Sequence, residues 1–344
     1  MQRSDFLSLA AGAASVFLLP SCSRRVTGQV KETAKSNQVP FSYKEISRTE
    51  PTLSEFMNYY KRFSNWGRWG KEDKLGTLNF INPDTVLNAK SLIHLGKSVS
   101  LGRPMTSGKL EMKIYRTEAD SIGSTHDTIT VAEHGYTETH LDALCHISSR
   151  DGKLYNGYPE TVVNEKGATI HGIENWKNGV TTRGVLYDIP KLRGVPFVSL
   201  ERAVQGWELE DFARMNKIEP KKGDATIIHC GRNSFFLANP NNPNTLGNKP
   251  GLNPSVLEFL NAYDSALMGS DFDEAPNTDK KYPTDYSIHH IANPFMGLPT
   301  FWNLDLEPLS KLCNEQKTWE FFVVLAPLIV AGGTGSVLNP IAIL

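Results

Sequence analysis

Apolar and polar residues are arranged in segments whose periodicity changes several times between that of a helix and that of a strand. Apolar positions recur at helical spacing over residues 52–64, and Asn82-Pro83-Asp84 predicts a second helix that runs to about His94. Asn253-Pro254 predicts a third, through about Tyr263. Short β-branched or continuous apolar runs predict strands at 98–101, 128–132, 180–188, 224–230, 266–269 and 321–329. Because strands and helices are interspersed, the pattern predicts an α/β domain.

The N-terminal segment has a different pattern. Arg3 precedes a mostly apolar run from Phe6 to Leu19, which is the length of a secretory signal and shorter than the ~20 residues that span a bilayer. The run ends in Leu19-Pro20-Ser21-Cys22, which is similar to a bacterial lipobox with Cys22 as the lipidated residue. Residues 23–45 are polar and lack apolar periodicity, as linkers do.

We therefore expect a lipoprotein-type signal peptide at 1–22, a linker at 23–45 and a single domain at 46–344. The protein would be exported, either to the periplasm or to a membrane that it touches only through a lipid anchor. The alternative is a cytosolic protein with an apolar N-terminus.

Composition limits the class of protein. The chain has 344 residues, enough for one large domain or two fused ones, and its 36 basic and 37 acidic residues leave a net charge of −1. This balance creates no field that favours nucleic acid, so we expect no nucleic-acid partner. Without Cys22, the remaining cysteines are odd in number and widely spaced, so no disulfide framework is predicted. They are Cys145, Cys230 and Cys313.

His140, Asp142 and His146 are the strongest candidates for chemistry. On a strand, His140 and Asp142 leave the same face, because strand side chains alternate with a period of two. His146 either continues that face or is brought round by a turn through 143–145. Two imidazoles and one carboxylate form a nitrogen and oxygen site suited to Zn, Mn or Fe, with positions left open for catalysis. The alternative is a set of polar residues that share no partner.

The segment Thr139-His140-x-Asp142-x-x-x-His146 resembles the central motif of the metal-dependent cyclase family, which includes kynurenine formamidases and isatin hydrolase. The resemblance is greatest to the long-chain branch of that family. It implies a swivelling β/β/α domain with a mixed sheet and a barrel-like core, which usually forms homodimers or higher homo-oligomers. Further segments in the right order carry it: 65–70, 75–79, 134–136, 155–157, 183–186, 222–225, 250–252, 269–271 and 326–340.

Two departures from the family pattern bear on the number of metal ions. In the shorter formamidases, which resemble this site and bind two metals, the positions of Tyr136 and Trp302 hold a His and a Glu that are further ligands. A neutral phenol is a poor ligand, and an indole offers only a donor. We therefore expect one divalent ion per chain, Mn or Zn, held by His140, Asp142 and His146.

Other histidines and aromatic residues are candidates for the remaining roles. His134 lies on the face of the expected ligands and is the preferred proton shuttle, with a structural hydrogen bond as the alternative. Of the adjacent pair His289-His290, only one side chain can reach the site, and the resemblance implies His290. Four aromatic residues could form an apolar wall for a flat substrate, or could simply pack in the core: Trp66, Trp69, Tyr136 and Trp302.

These features together predict a metal-dependent hydrolase that opens a carbon–nitrogen bond in an amide, formamide or cyclic imide-like small molecule. A nearby His would pass a proton to the leaving nitrogen. Hydrolysis of an ester or lactone is the alternative within enzymes, because the same activated water attacks either carbonyl. The alternative outside enzymes is a surface lipoprotein that binds a metal or small ligand without turnover.

Overall fold

The computed structural model describes residues 41–105, 110–119, 122–284 and 287–344. The predicted signal peptide, with Cys22, and most of the predicted linker lie outside the described residues. Contacts with the domain begin before residue 46, since the Tyr43 hydroxyl donates to the Ile218 carbonyl at 3.1 Å and the Lys44 amide donates to the Tyr263 hydroxyl at 2.8 Å. In the described part of the chain, the helices are too short or too polar to cross a bilayer.

Eight α-helices occur among the described residues, and several start where a side chain caps the first turn. The Thr52 hydroxyl accepts from the Glu55 amide at 3.3 Å, and the Asn82 side chain accepts from the Thr85 amide at 3.0 Å. A π-helix, Ala292–Met296, directly follows the seventh. The helices are α1 Leu53–Arg62, α2 Pro83–Lys90, α3 Ile189–Arg193, α4 Gly206–Asn216, α5 Arg232–Ala238, α6 Val256–Ala262, α7 His289–Ile291 and α8 Glu307–Gln316, with 3₁₀ turns at Gly76–Phe80, Tyr155–Gly157, Glu160–Val162 and Ile173–Trp176.

The strands form one large mixed sheet and two hairpins. They are β1 Ser98–Ser100, β2 Leu110–Ala119, β3 Ile122–Val131, β4 His140–Asp142, β5 Val163–Asn164, β6 Gly167–Ala168, β7 Val180–Asp188, β8 Ala225–His229, β9 Leu267–Ser270, β10 Thr300–Trp302, β11 Glu320–Leu325, β12 Gly335–Val337 and β13 Ile341–Ile343. Among the described residues the large sheet has the order β1-β13-β11-β7-β8-β9-β10-β4-β12. Strands β7 to β10 run parallel, whereas the pairings on either side are antiparallel. The sheet curls into a half-barrel, and the predicted α/β fold with a mixed, barrel-like sheet is confirmed.

Most predicted elements are present, and the differences have local causes. The strand at 180–188 is confirmed residue for residue as β7, and α1 lies within the helix predicted at 52–64. The apolar run at 321–329 remains a strand only to Leu325, since Pro327 follows and has no amide hydrogen for a ladder. The strand predicted at 128–132 is the end of the longer β3, which pairs with β2 along its whole length.

Strand register brings distant segments of the chain to one place. In the antiparallel pair of β10 and β4, Thr300 lies opposite Asp142 and Trp302 lies opposite His140. On the other side of β4, Gly335 lies opposite Asp142. The short strand β4 is therefore flanked on both sides within the sheet, and its side chains are buried.

The close packing between β9 and β10 allows the register of these two strands to be tested by a substitution. Gly269 lies beside Phe301 in the parallel pair, and a Cβ at Gly269 would lie 2.3 Å from the fully buried Phe301 ring. We expect Gly269→Ala to lower the free energy of unfolding by about 1–3 kcal/mol, because overpacking forces the ring or the strand to move. Urea denaturation measures this. Leu237→Ala, at a side chain that is 85% exposed, is the control and should change stability by less than ~0.5 kcal/mol. An unchanged midpoint for Gly269→Ala would contradict the register.

Candidate metal centre

Strand β4 and the turn after it place the three predicted ligands together. His140 Nε2 lies 3.4 Å from Asp142 Oδ1, so both side chains leave the same face of β4, as expected from the strand period. His146 arrives through a turn, in which its amide donates to the Ala143 carbonyl at 3.0 Å. Its Nε2 lies 3.7 Å from the same oxygen of Asp142. Of the two routes that the sequence left open for His146, the structure has the turn.

His134 joins this group. Its Nδ1 lies 3.1 Å from Asp142 Oδ1, and its ring stacks on that of His146 with centroids 3.7 Å apart. The His134 Nε2 forms a 3.0 Å hydrogen bond with the Thr334 hydroxyl. Gly335 makes the position possible, because a Cβ there would lie 2.6 Å from the His134 ring. His134 is thus nearer to Asp142 than either of the other two imidazoles. From the sequence we expected a proton shuttle or a structural hydrogen bond at this position, not a metal ligand.

The two oxygens of Asp142 have different environments. Oδ2 accepts hydrogen bonds from the Thr300 hydroxyl at 3.0 Å and from the Trp302 indole at 2.9 Å. Within the described part of the chain, Oδ1 accepts no hydrogen bond although the residue is completely buried. A buried charged oxygen without a hydrogen bond is costly unless a cation accompanies it. Oδ1 and the surrounding imidazole nitrogens therefore suit a divalent metal ion.

The protonation states agree with a set of metal ligands. Burial lowers the pKa of His140, and burial lowers the pKa of His146 to about 4, so both imidazoles are neutral at pH 7. Burial alone would raise the pKa of Asp142, but the nearby His146 and His140 outweigh it and hold that pKa well below its usual range. His140 Nδ1 lies 2.9 Å from the Glu138 carbonyl, so its proton sits there and Nε2 is left as the donor atom.

Of the adjacent histidines, His289 is the one that meets the site. Its Nε2 lies 3.4 Å from Asp142 Oδ2, and its Nδ1 contacts the Glu274 carboxylate at 2.5 Å. His290 is partly exposed and is not among the described residues that line the cavity. The expectation that His290 reaches the site is therefore wrong, and the residue before it, His289, lies there instead. Contacts on both ring nitrogens of His289, one with Glu274 and one with Asp142, hold this imidazole at the site.

His289 also differs electrostatically from the other imidazoles. Burial opposes its protonation, but the Glu274 and Asp142 carboxylates outweigh burial and raise the pKa of His289 to about 10. Glu274 is itself almost fully buried, and its pKa is lowered mainly by the charge of His289, against the effect of burial.

A cavity of about 410 Å³ opens beside these residues. Of the four aromatic residues expected at the substrate, Tyr136 and Trp302 contribute to its wall. Trp66 stacks on Phe295 and donates to the Pro294 carbonyl, and Trp69 packs against Phe80, so these two lie outside the cavity wall. The described residues that line the cavity are His134, Gly135, Tyr136, His140, His146, Ile147, Asp273, His289 and Trp302.

Two of three comparisons with known proteins find relatives of this chain. A family model described as "Putative cyclase" matches residues 57–279. A crystal structure of a protein described as a novel cyclase is 26% identical, covers 83% of this chain and 99% of its own, and superposes with a TM-score of 0.71. A search of the curated proteins gives no match.

Two isatin hydrolases show a more distant likeness. Isatin hydrolase A from Ralstonia solanacearum is 17% identical over 72% of this chain and 91% of its own, with a TM-score of 0.45. Isatin hydrolase A from Labrenzia aggregata, bound to benzyl benzoate, is 15% identical over 74% of this chain and 94% of its own, with a TM-score of 0.49. The family model alone covers well over half of the chain, and the protein therefore belongs to the cyclase family.

Proposed function

We propose that the protein is a metal-dependent hydrolase that opens a carbon–nitrogen bond in a small amide, formamide or cyclic imide-like substrate. The observation that carries the proposal is the buried Asp142 Oδ1, which three imidazole nitrogens approach within 3.7 Å at the wall of the cavity. Membership of the cyclase family supports an enzyme, and the space beside the donor atoms supports turnover rather than simple storage of a metal.

His140, Asp142 and His146 would hold the ion, with His134 as a fourth ligand. His134 would replace the ligand that is lost at Tyr136, since its Nδ1 is the imidazole nitrogen nearest to Asp142 Oδ1. When bound, a divalent ion such as Mn or Zn supplies Lewis acidity, which polarises a carbonyl and lowers the pKa of water to about 7.

One ion per chain is the number that the site supports best. A carboxylate that bridges two ions through both of its oxygens would need Oδ2 of Asp142, but Oδ2 already accepts hydrogen bonds from Thr300 and Trp302. The indole N–H in particular stands where a second cation would be repelled, because it presents a partial positive charge.

His289 would handle the proton that the leaving nitrogen requires. Glu274 holds its Nδ1, which fixes the orientation of the ring, and the ring forms part of the cavity wall. A positioned imidazole backed by a carboxylate is a common arrangement for general acid–base catalysis. Trp302 lies against the His289 ring at a centroid distance of 4.8 Å and limits its movement.

Turnover of a substrate panel tests the proposal. With added Mn or Zn, we expect hydrolysis of aryl formamides or isatin-like imides, abolished by a chelator and restored by the metal. A lactone in the same panel distinguishes carbon–nitrogen hydrolysis from ester hydrolysis. Turnover of the lactone alone would show that the protein is an ester or lactone hydrolase instead. Absence of turnover on the whole panel, with metal bound, would contradict both and would favour a binding protein.

Metal content tests the ligand set. Elemental analysis of freshly purified protein should give about one equivalent of metal per chain, because the donor atoms converge on a single oxygen. His140→Ala and Asp142→Ala should lose the metal, and His134→Ala should weaken its retention. Tyr136→Phe is the matched control in the same cavity wall and should keep it. A content near two equivalents would show that the site is dinuclear.

The adjacent histidines offer a matched pair of variants. His289→Gln should lower kcat by about 10²- to 10⁴-fold, the usual contribution of general acid–base catalysis, with the metal content unchanged. His290→Gln should leave kcat near that of the wild type, because His290 does not belong to the described residues that line the cavity. Steady-state kinetics on the best substrate of the panel measures both. A larger loss in His290→Gln than in His289→Gln would reverse the assignment.

A further inference from the structure

Asp273 gives the cavity wall a polar character that the metal site does not explain. It is the one carboxylate among the described residues that line the cavity, and it is 9% exposed. The imidazoles in the wall face Asp142, and the Trp302 N–H is already donated to Asp142. An ionised carboxylate accepts hydrogen bonds and donates none, so Asp273 selects for a donor on whatever occupies the cavity.

A buried lysine, Lys249, contacts this carboxylate. Its side chain is 1% exposed, its ammonium contacts the Asp273 carboxylate, and it lies 5.0 Å from the centre of the Tyr136 ring, which also lines the cavity. A buried lysine is retained where an anion compensates its charge, and the same contact favours the ionised form of that anion. Lys249 is therefore the ion-pair partner of Asp273, whose side chain has little contact with water.

The backbone fixes the position of Asp273. The Leu252 amide donates to the Asp273 carbonyl at 2.9 Å, and the Ala275 amide donates to the Leu252 carbonyl at 3.0 Å. Gly251 allows the two segments to approach, because a Cβ there would lie 2.4 Å from the Asp273 carbonyl. The neighbouring carboxylate, Glu274, is committed to His289. Glu274 therefore contacts His289, whereas Asp273 lines the cavity and is held there by the backbone hydrogen bonds on either side.

We propose, on the basis of the hydrolase function above, that Asp273 accepts the N–H of the substrate and that Lys249, its ion-pair partner, is the residue that positions it. The substrate class would then be formamides, secondary amides and cyclic imides that carry an N–H next to the scissile carbonyl. An ester or lactone brings an oxygen lone pair to the same place, and an N-alkylated amide brings a methyl group. Both leave the Asp273 carboxylate without its hydrogen bond, which a site built around such a bond penalises.

Three matched substrates test this recognition: formanilide, N-methylformanilide and phenyl formate. For the metal-loaded wild type, kcat/KM should be about 10- to 100-fold higher for formanilide than for N-methylformanilide, the value of one hydrogen bond to a charged group. Asp273→Ala should lose that preference, with a fall for formanilide and values within about threefold of the wild type for the other two. Asp279→Ala, at an exposed carboxylate of the same loop, is the control and should keep it.

Two further variants separate positioning from folding. Lys249→Met should raise KM for formanilide while leaving the kinetics on phenyl formate unchanged, which a purely structural defect would not do. The double variant Asp273→Ala/Lys249→Met removes the stranded cation and should behave as Asp273→Ala. An equal fall for all three substrates, or no N–H preference in the wild type, would overturn the inference while the hydrolase function stands. Failure of the wild type on all three would overturn that function and the inference with it.

Discussion

The burial of the Asp142 carboxylate is the constraint on which the rest of the site depends. A charged group removed from water must be compensated, and here the two oxygens are compensated differently. Thr300 and Trp302 donate to Oδ2 and fix the plane of the carboxylate, whereas imidazoles converge on Oδ1. Oδ1, on the side of the imidazoles, is therefore the oxygen of Asp142 that is left for a cation.

The sheet supplies that division through register. Thr300 and Trp302 reach Asp142 because β10 pairs with β4, and His134 reaches it because Gly335 of β12 leaves room for the ring. A slip of one residue in either pair would turn the side chains to the opposite face of the sheet. On the other side of β10, Gly269 of β9 packs against Phe301. The pairing of β10 with its neighbours therefore stabilises the sheet and also positions Thr300 and Trp302 at Asp142.

Local patterns predicted the elements and part of the site, whereas long-range pairing decided the remainder. The β-branched run of β7 and the spacing of His140 and Asp142 are local signals, and both were predicted correctly as structure. His289 was missed because its place at the site depends on contacts with Glu274 and Asp142, which lie in other segments and carry no local signal. The contact between Lys249 and Asp273 joins separate segments and carries no local signal either. Export, lipidation at Cys22 and homo-oligomer formation stay predictions.

The most direct test of the central claim is anomalous diffraction from crystals grown with Mn or Zn. We expect a single anomalous peak per chain within bonding distance of Asp142 Oδ1, His140 and at least one of His134 and His146. The indole of Trp302 should remain on Oδ2 in that structure. Two peaks bridged by Asp142, or a peak elsewhere with none at Asp142, would contradict it.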